Sequence, residues 1–388
     1  MMSGVTFDRA VTYEQAQKML RYMGGIHAAL TKDIEPEDYD FLYRTVVAGG
    51  GPLAYPVGSI VWTEKGNYKY PWAVMHHGQH ADGRFYMIMR VIKAIDQLQF
   101  DAAEAFCYAE EGLAAGTYHF NVPTAYQACP AGDYQFTLAS AVPAGGRLAL
   151  NFNPYSYSPV DRGVTAYDSA NSMVVSQTAT ISSGDGGTLL GLLKHEGDPD
   201  NANMNSLTRV CFGSNNYAQS AIRQYFTSDA AAGAVWKSSN KFDMAPSWNA
   251  SQPGFLTKLP DEFLEIVHPV TISTVTNNVF EVDYTKSSSY ALKDRFWLPS
   301  RYNVYGSTEG ADLNEEQWDF YKGSADIDKI MFDNGGAARH QFLRTPYVGH
   351  TNYVRHVNAS TGVLNGCNAY NSYAESPACE ISAPETAA

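Results

Sequence analysis

QFLRTPYVGHTNYVRHVNASTGVLNGCNAYNSYAESPACEI, residues 341–381, decides how the rest of the chain is read. Polar and aromatic side chains crowd it: Tyr347, His350, Asn352, Tyr353, Arg355, His356, Asn358, Asn365, Asn368, Tyr370, Asn371 and Tyr373. Small or apolar residues such as Val354, Val357, Val363 and Ala369 stand between them, and there is no lysine. Asn, Gly and Ser are poor helix formers, so the stretch is not a helix. It is too aromatic for a disordered tail. Tyr, Ser, Gly and Asn on a rigid frame is the composition of antibody contact loops. There Tyr gives contact area at low entropy cost, and Asn and Ser give adaptable hydrogen bonds.

Working outward, 388 residues suffice for two or three domains and a large core. A formal charge of -13 argues against nucleic acid or an anionic membrane as the main partner. No apolar run approaches the roughly 20 residues of a membrane helix. The start, MMSGVTFDRAVTYEQ, has neither a basic nor an apolar signal region, so no secretory signal is expected. Cys107, Cys129, Cys211, Cys367 and Cys379 form an odd, sparse set that suggests reduced thiols, with a later Cys367–Cys379 pairing left open.

Residues 1–50 read as a helical segment. Thr12 and Gln15 fit a capping box, and Tyr13, Ala16, Met19, Leu20 and Met23 share one helical face. Pro36 starts a second helix with Tyr39, Leu42, Tyr43 and Val46 on one side, and Gly49-Gly50-Gly51-Pro52 ends it. Either this is a hairpin packed on the body or it is an attachment or oligomerisation arm. Beyond it the period changes. Residues 59–62, 70–75 and 85–92 read as short antiparallel strands.

His76, His77 and His80 have the look of metal ligands, but no carboxylate or cysteine stands at ligand spacing beside them. The Asp82-Gly83 turn accounts for the local polarity equally well, and no metal and no cofactor is expected. From 105 to 195 turn residues punctuate strands at 116–122, 132–138, 147–152, 172–176 and 178–181, which suggests a small β-sandwich. The run 183–187, SGDGG, lacks the lysine and helix of a phosphate loop and reads as a hairpin turn. The acidic residues 196–201 read as a solvated turn rather than a calcium loop.

Further on, a helix starting near Asn216 carries Ile222, Tyr225 and Phe226. Pro260 opens another, ahead of Phe263, Leu264 and Ile266. Strands follow at 270–275 and 279–282, Phe296 to Ser300 forms an apolar anchor, and 313–321 reads as a third short helix with Trp318 and Phe320. Short helices, short strands and long connections describe an α+β domain whose loops carry the work.

Several of these stretches resemble the variable proteins of diversity-generating retroelements, carried by gut bacteriophages and prophages. The resemblance rests on Pro71-Trp72-Ala73-Val74 with the strand at 87–91, on YAQSAIRQYF at 217–226, on Phe296 to Ser300, and on Arg344 to Cys379. It covers a little over half the chain. It implies a C-type-lectin-like fold, related to formylglycine-generating enzymes, split into 51–104 and 196–382 around the inserted β-sandwich of 105–195. The variable region would be 344–379. The family's adenine-directed copying scatters codons over Asn, Tyr, His, Ser, Asp, Thr and Arg, which is the palette of the twelve residues named first. By resemblance those twelve are diversified ligand contacts, with Tyr347, Tyr353, Tyr370, Tyr373 and Arg355 as anchors. Val354, Val357, Val363 and Ala369 are fixed and face the core.

The function implied is that of a receptor-binding protein on a phage virion, made in the bacterial cytoplasm, which recognises a host surface protein or glycan. A homo-oligomer, a trimer among the options, and contacts with other virion proteins go with it. Two other readings remain: a structural or carbohydrate-binding virion protein that uses the β-rich insertion, and an enzyme of the formylglycine-generating type. The second would need a reactive cysteine pair, and the surroundings of Cys367 and Cys379 do not match that enzyme's pattern.

Overall fold

The computed structural model describes residues 38–122, 130–152, 162–169, 175–190, 209–238, 243–276, 288–307, 315–347 and 350–385. The expected helix over Thr12–Met23, the acidic residues 196–201 and the strand at 279–282 lie outside these.

Asp38 caps the first helix, Tyr39–Val47, by accepting from the Phe41 N–H at 2.8 Å. Leu42 and Val46, four residues apart, are buried beneath it. Gly49 stops it in the left-handed region, with φ at +82°. Tyr39 donates to the Trp62 carbonyl at 2.9 Å and its ring meets Phe263, so this helix is packed on the body.

The strands expected between 59 and 92 are Ile60–Lys65, Tyr68–Gln79 and Phe85–Val91, joined as an antiparallel meander. The chain's last strand, Ala378–Ser382, pairs with Phe85–Val91, and Phe296–Trp297 completes five strands. Trp72 is wholly buried at the centre. Its indole N–H donates to Thr63 at 2.9 Å, and Phe255, Phe263 and Phe296 surround its ring. Ser220 caps the helix Ala221–Thr227, which adds Ile222, Tyr225 and Phe226 to this core.

A second five-stranded sheet has the order Leu364–Asn368, Tyr353–Val357, Gln341–Pro346, Ser372–Ala374, Gln97–Gln99. Residues 60–99 and 296–382 therefore share both sheets. Residues 105–190 form their own core of Phe106, Phe120, Phe136, Leu148, Leu150 and Val164. Two four-stranded sheets enclose it: Val175–Thr180, Arg162–Tyr167, Gly146–Phe152, Ala105–Ala109, and Ser182–Ser183, Gly132–Leu138, Gly116–Val122, Thr188–Leu189. With these strands, the molecule is mostly β with a few short helices, an α+β protein.

Two expectations fail. Of the helix expected over 313–321, the described residues 315–321 are not helical, and 319–323 form turns. Their amides are used elsewhere: Trp318 N–H donates to the Asn303 carbonyl at 3.0 Å and Phe320 N–H to that of Met75 at 3.0 Å. Trp318 is still buried, so the apolar pattern was sound and the backbone was not. Nor is the 183–187 run a hairpin turn. Ser182–Ser183 and Thr188–Leu189 lie on opposite edges of one sheet, so the glycines cross over the strands between. Gly186 N–H donates to Gln135 Oε1 at 2.9 Å, and a Cβ on Gly187 would sit 1.9 Å from the Thr117 carbonyl oxygen. The close approach is what requires glycine there. Gly187→Ala should cost roughly 2–4 kcal/mol in chemical denaturation, against about 1 kcal/mol for Gly66→Ala, a positive-φ turn with open space around it.

Candidate functional site

The antiparallel hairpin Tyr353–Val357/Leu364–Asn368 sorts the tail residues by face. Its register sets Tyr353 opposite Asn368, Arg355 opposite Gly366 and His356 opposite Asn365. Successive side chains along a strand point to opposite faces.

One face carries a cluster of rings. Tyr347 occupies the space a Gly366 side chain would fill: a Cβ there would lie 2.4 Å from its Cδ2. The Arg355 guanidinium stacks on the Tyr347 ring at 3.6 Å from its centroid. His350 stacks on Tyr353 at 4.7 Å and 18°, and Tyr347 meets both edge-on. Asn368 closes this end of the hairpin. Tyr370, 38% exposed, rests on Phe212 at 5.6 Å, and its N–H donates to the Phe212 carbonyl. Asn371 follows, with its N–H donating to the Asn368 carbonyl at 3.1 Å. Burial and the neighbouring Arg355 charge hold the His350 imidazole below its usual range.

The other face is interior. Val354, Cys367 and His356 are buried there, with Phe342 opposite His356 in the register. Tyr373, half-buried, stacks on His340 at 4.7 Å and on Phe342 at 5.2 Å, and His356 meets it edge-on. Burial first, then His340 and Arg355, push the His356 imidazole down to about 3. Burial also pushes the Cys367 and Cys379 thiols up; both are free and lie in different sheets.

This sorting corrects the sequence reading at five places, one of them Tyr373, which belongs to the inner face and not to the ring cluster. Asn352 is fully buried and donates to Asn368 Oδ1 at 2.6 Å, so it braces the hairpin and is not a surface contact. His356 is 2% exposed and belongs to the inner face. Asn358 Oδ1 accepts from the Ser360 and Thr361 N–H groups, which makes it a turn-former. Asn365 is exposed but, standing opposite His356, is directed away from Arg355. Among the residues expected in the core, Val354, Val357 and Ala369 are buried, whereas Val363 lies in the hairpin turn and is 47% exposed.

Sequence reasoning missed the support. Asn215, itself buried, donates through Nδ2 to the carbonyls of His350 at 2.6 Å and Tyr353 at 2.9 Å, and its N–H donates to that of Thr351. Gly213, with φ at +82°, lets this segment pass close to Asp101 and Ala102. The one available signal was the Ser-Asn-Asn run before YAQ, where Asn216 caps the short 3-10 helix Tyr217–Gln219.

Residues 192–383 match a family described as a domain of unknown function, DUF6273. No curated protein and no solved structure matches the chain. The DUF6273 match starts just beyond the strand Thr188–Leu189 and ends just after Ala378–Ser382, so it holds all twelve tail residues. It omits strands 60–99, which supply four of the ten strands of the two shared sheets.

The histidines at 76–80 have other roles than the sequence suggested. His76 Nδ1 lies 2.9 Å from Asp319 and Nε2 2.8 Å from Glu316, while His80 Nε2 lies 2.8 Å from Glu380. The carboxylates arrive from distant segments, and the Asp82-Gly83 turn is formed as read, with Asp82 accepting from the Arg84 N–H and Nε. No metal-holding group is formed among the described residues.

Two outcomes follow from these placements. Gly366→Ala should unseat Tyr347, so the ring-shielded upfield shift of the Arg355 side-chain protons in NMR spectra disappears. His356, with its pKa lowered from 6.5, binds fewer protons folded than unfolded, so its contribution is full above that value and is lost as pH falls. His340 and His350 act in the same direction, and His80, raised by Glu380, in the other. His356→Gln should therefore flatten the fall in unfolding free energy between about pH 7 and about pH 5.

Proposed function

We propose that this chain is a ligand-binding protein whose carboxy-terminal sheet displays exchangeable contact residues, as in the variable proteins of diversity-generating retroelements. The observation that carries this reading is the ring cluster of Tyr347, His350, Tyr353 and Arg355, with Tyr370 beside it, raised on the buried frame of Val354, Val357 and Ala369. Tyr and Arg dominate binding hot spots, and stacked rings hold their geometry before the ligand arrives. The C-type-lectin-like part of the proposal draws support from the split arrangement, in which 60–99 and 296–382 share two sheets and 105–190 build their own core. The place proposed for it is the surface of a phage particle, in a homo-oligomer attached to other virion proteins and facing a host surface molecule. An enzyme of the formylglycine-generating type is disfavoured, because Cys367 and Cys379 are buried in separate sheets.

Replacing Tyr353, Arg355 and Tyr370 together with Ala should abolish attachment of the purified protein to host cells while the melting temperature stays nearly unchanged. A collapse in stability would mark the three as core residues. Sequencing of the flanking DNA gives a separate test. A reverse-transcriptase gene and a template repeat that departs from residues 344–379 only at adenines are expected.

A further inference from the structure

Away from the ring cluster, the strand Ser372–Ala374 runs into a carboxyl that nothing balances. Glu375 is 0% exposed, and neither of its side-chain oxygens has a hydrogen-bond partner. Its main chain is engaged on both sides. The Glu375 N–H donates to the Asp96 carbonyl at 3.0 Å, and the Glu375 carbonyl accepts from the Ile95 N–H at 3.0 Å. The backbone pairing that sets Ser372–Ala374 against Gln97–Gln99 thus carries this side chain into the interior. Asp96, on the adjoining segment, adds a second negative charge beside it. Lys258, from the 3-10 helix Phe255–Lys258, is committed to Asp96, the Tyr225 hydroxyl and Gln252. Arg90, from Phe85–Val91, is committed to the Ser376 carbonyl, the Tyr321 hydroxyl and Gln341. The Tyr225 hydroxyl donates to Asp96, and Tyr70, the other tyrosine near that charge, is buried. A carboxyl buried in this way without a partner sheds its charge by taking up a proton. Burial first, and then Asp96, accordingly push the Glu375 carboxyl well above the usual carboxylate range.

We infer that Glu375 is a proton-operated catch for the edge of the second sheet. Protonated, the carboxyl stays inside and Ser372–Ala374 stays paired. Ionised, it is stable only in water, and it leaves by breaking the main-chain bonds of residues 374 and 375 to His340, Asp96 and Ile95. The Tyr370 carbonyl is held by Gln99 of the partner strand, so release of this edge also loosens one ring beside the cluster. The folded chain keeps a proton that an unfolded glutamate gives up above about 4.3. The stability it provides is therefore full below that value and is lost as pH rises through the folded value, the opposite direction to His356.

The test follows the full chain, labelled with carbon-13 at its glutamate carboxyls, by NMR as pH is raised. The Glu375 carboxyl should remain in its protonated position at about pH 7 and titrate above it. Over the same range the amide protection factors of Ala374 and Glu375 should fall at least about tenfold, while those of Met87 and Met89 in the other shared sheet hold. Glu375→Gln should abolish the fall, and Glu375→Met, also uncharged, should do so where the amide disturbs folding. A carboxyl already ionised at about pH 6, protection that stays constant up to about pH 10, or a fall that both variants retain would overturn the inference. Host-cell attachment is read separately, so none of these outcomes touches the contact surface.

Discussion

The pairing of Ala378–Ser382 with Phe85–Val91 is the constraint on which the two shared sheets depend. It joins residues almost three hundred positions apart, so everything between must leave and return. The loop closure is entropically costly, although the cost grows only with the logarithm of length. Burial of aromatic surface around Trp72 offsets it, since the rings gathered there come from four separate segments. An insertion as large as 105–190 is tolerable for the same reason. It leaves and rejoins near one place, where Arg209 meets Glu104 at 3.0 Å.

Beneath the second sheet the chain accepts a buried charge to hold its edge. Lys258, 1% exposed, donates to Asp96 at 2.7 Å and to the Tyr225 hydroxyl at 2.8 Å, and that hydroxyl donates to Asp96 at 2.5 Å. The Asp96 carbonyl in turn receives the Glu375 N–H at 3.0 Å. Burial, and then the Asp96 charge, push the Glu375 carboxyl well up, which favours its neutral form. Such networks add little net stability against an apolar equivalent, but breaking one partner leaves an uncompensated charge. Their plain effect here is register: the Gln97–Gln99 and Ser372–Ala374 strands meet with Tyr373 opposite Leu98.

Much of this was legible in the chain. Strands at 116–122 and 132–138 are bounded by glycines and rich in β-branched and aromatic residues, and they fold where the pattern places them. The strand Arg162–Tyr167 has one apolar β-branched residue, Val164, and gave no signal of its own. The composition of the tail marked it as polar and aromatic but gave no sidedness. Asn352 and Asn368 are the same residue type in the same stretch; one is buried and the other half-buried, although their side chains meet at 2.6 Å. Val363 misled for the converse reason: an apolar residue at a turn has no core within reach.

The grip of Asn215 is on main-chain oxygens at positions 350 and 353, and not on what those positions carry. Every amino acid brings the same carbonyl. The clasp is therefore indifferent to spelling: a lineage could rewrite the letters at these two sites and the backbone beneath would still be held from outside the rewritten text.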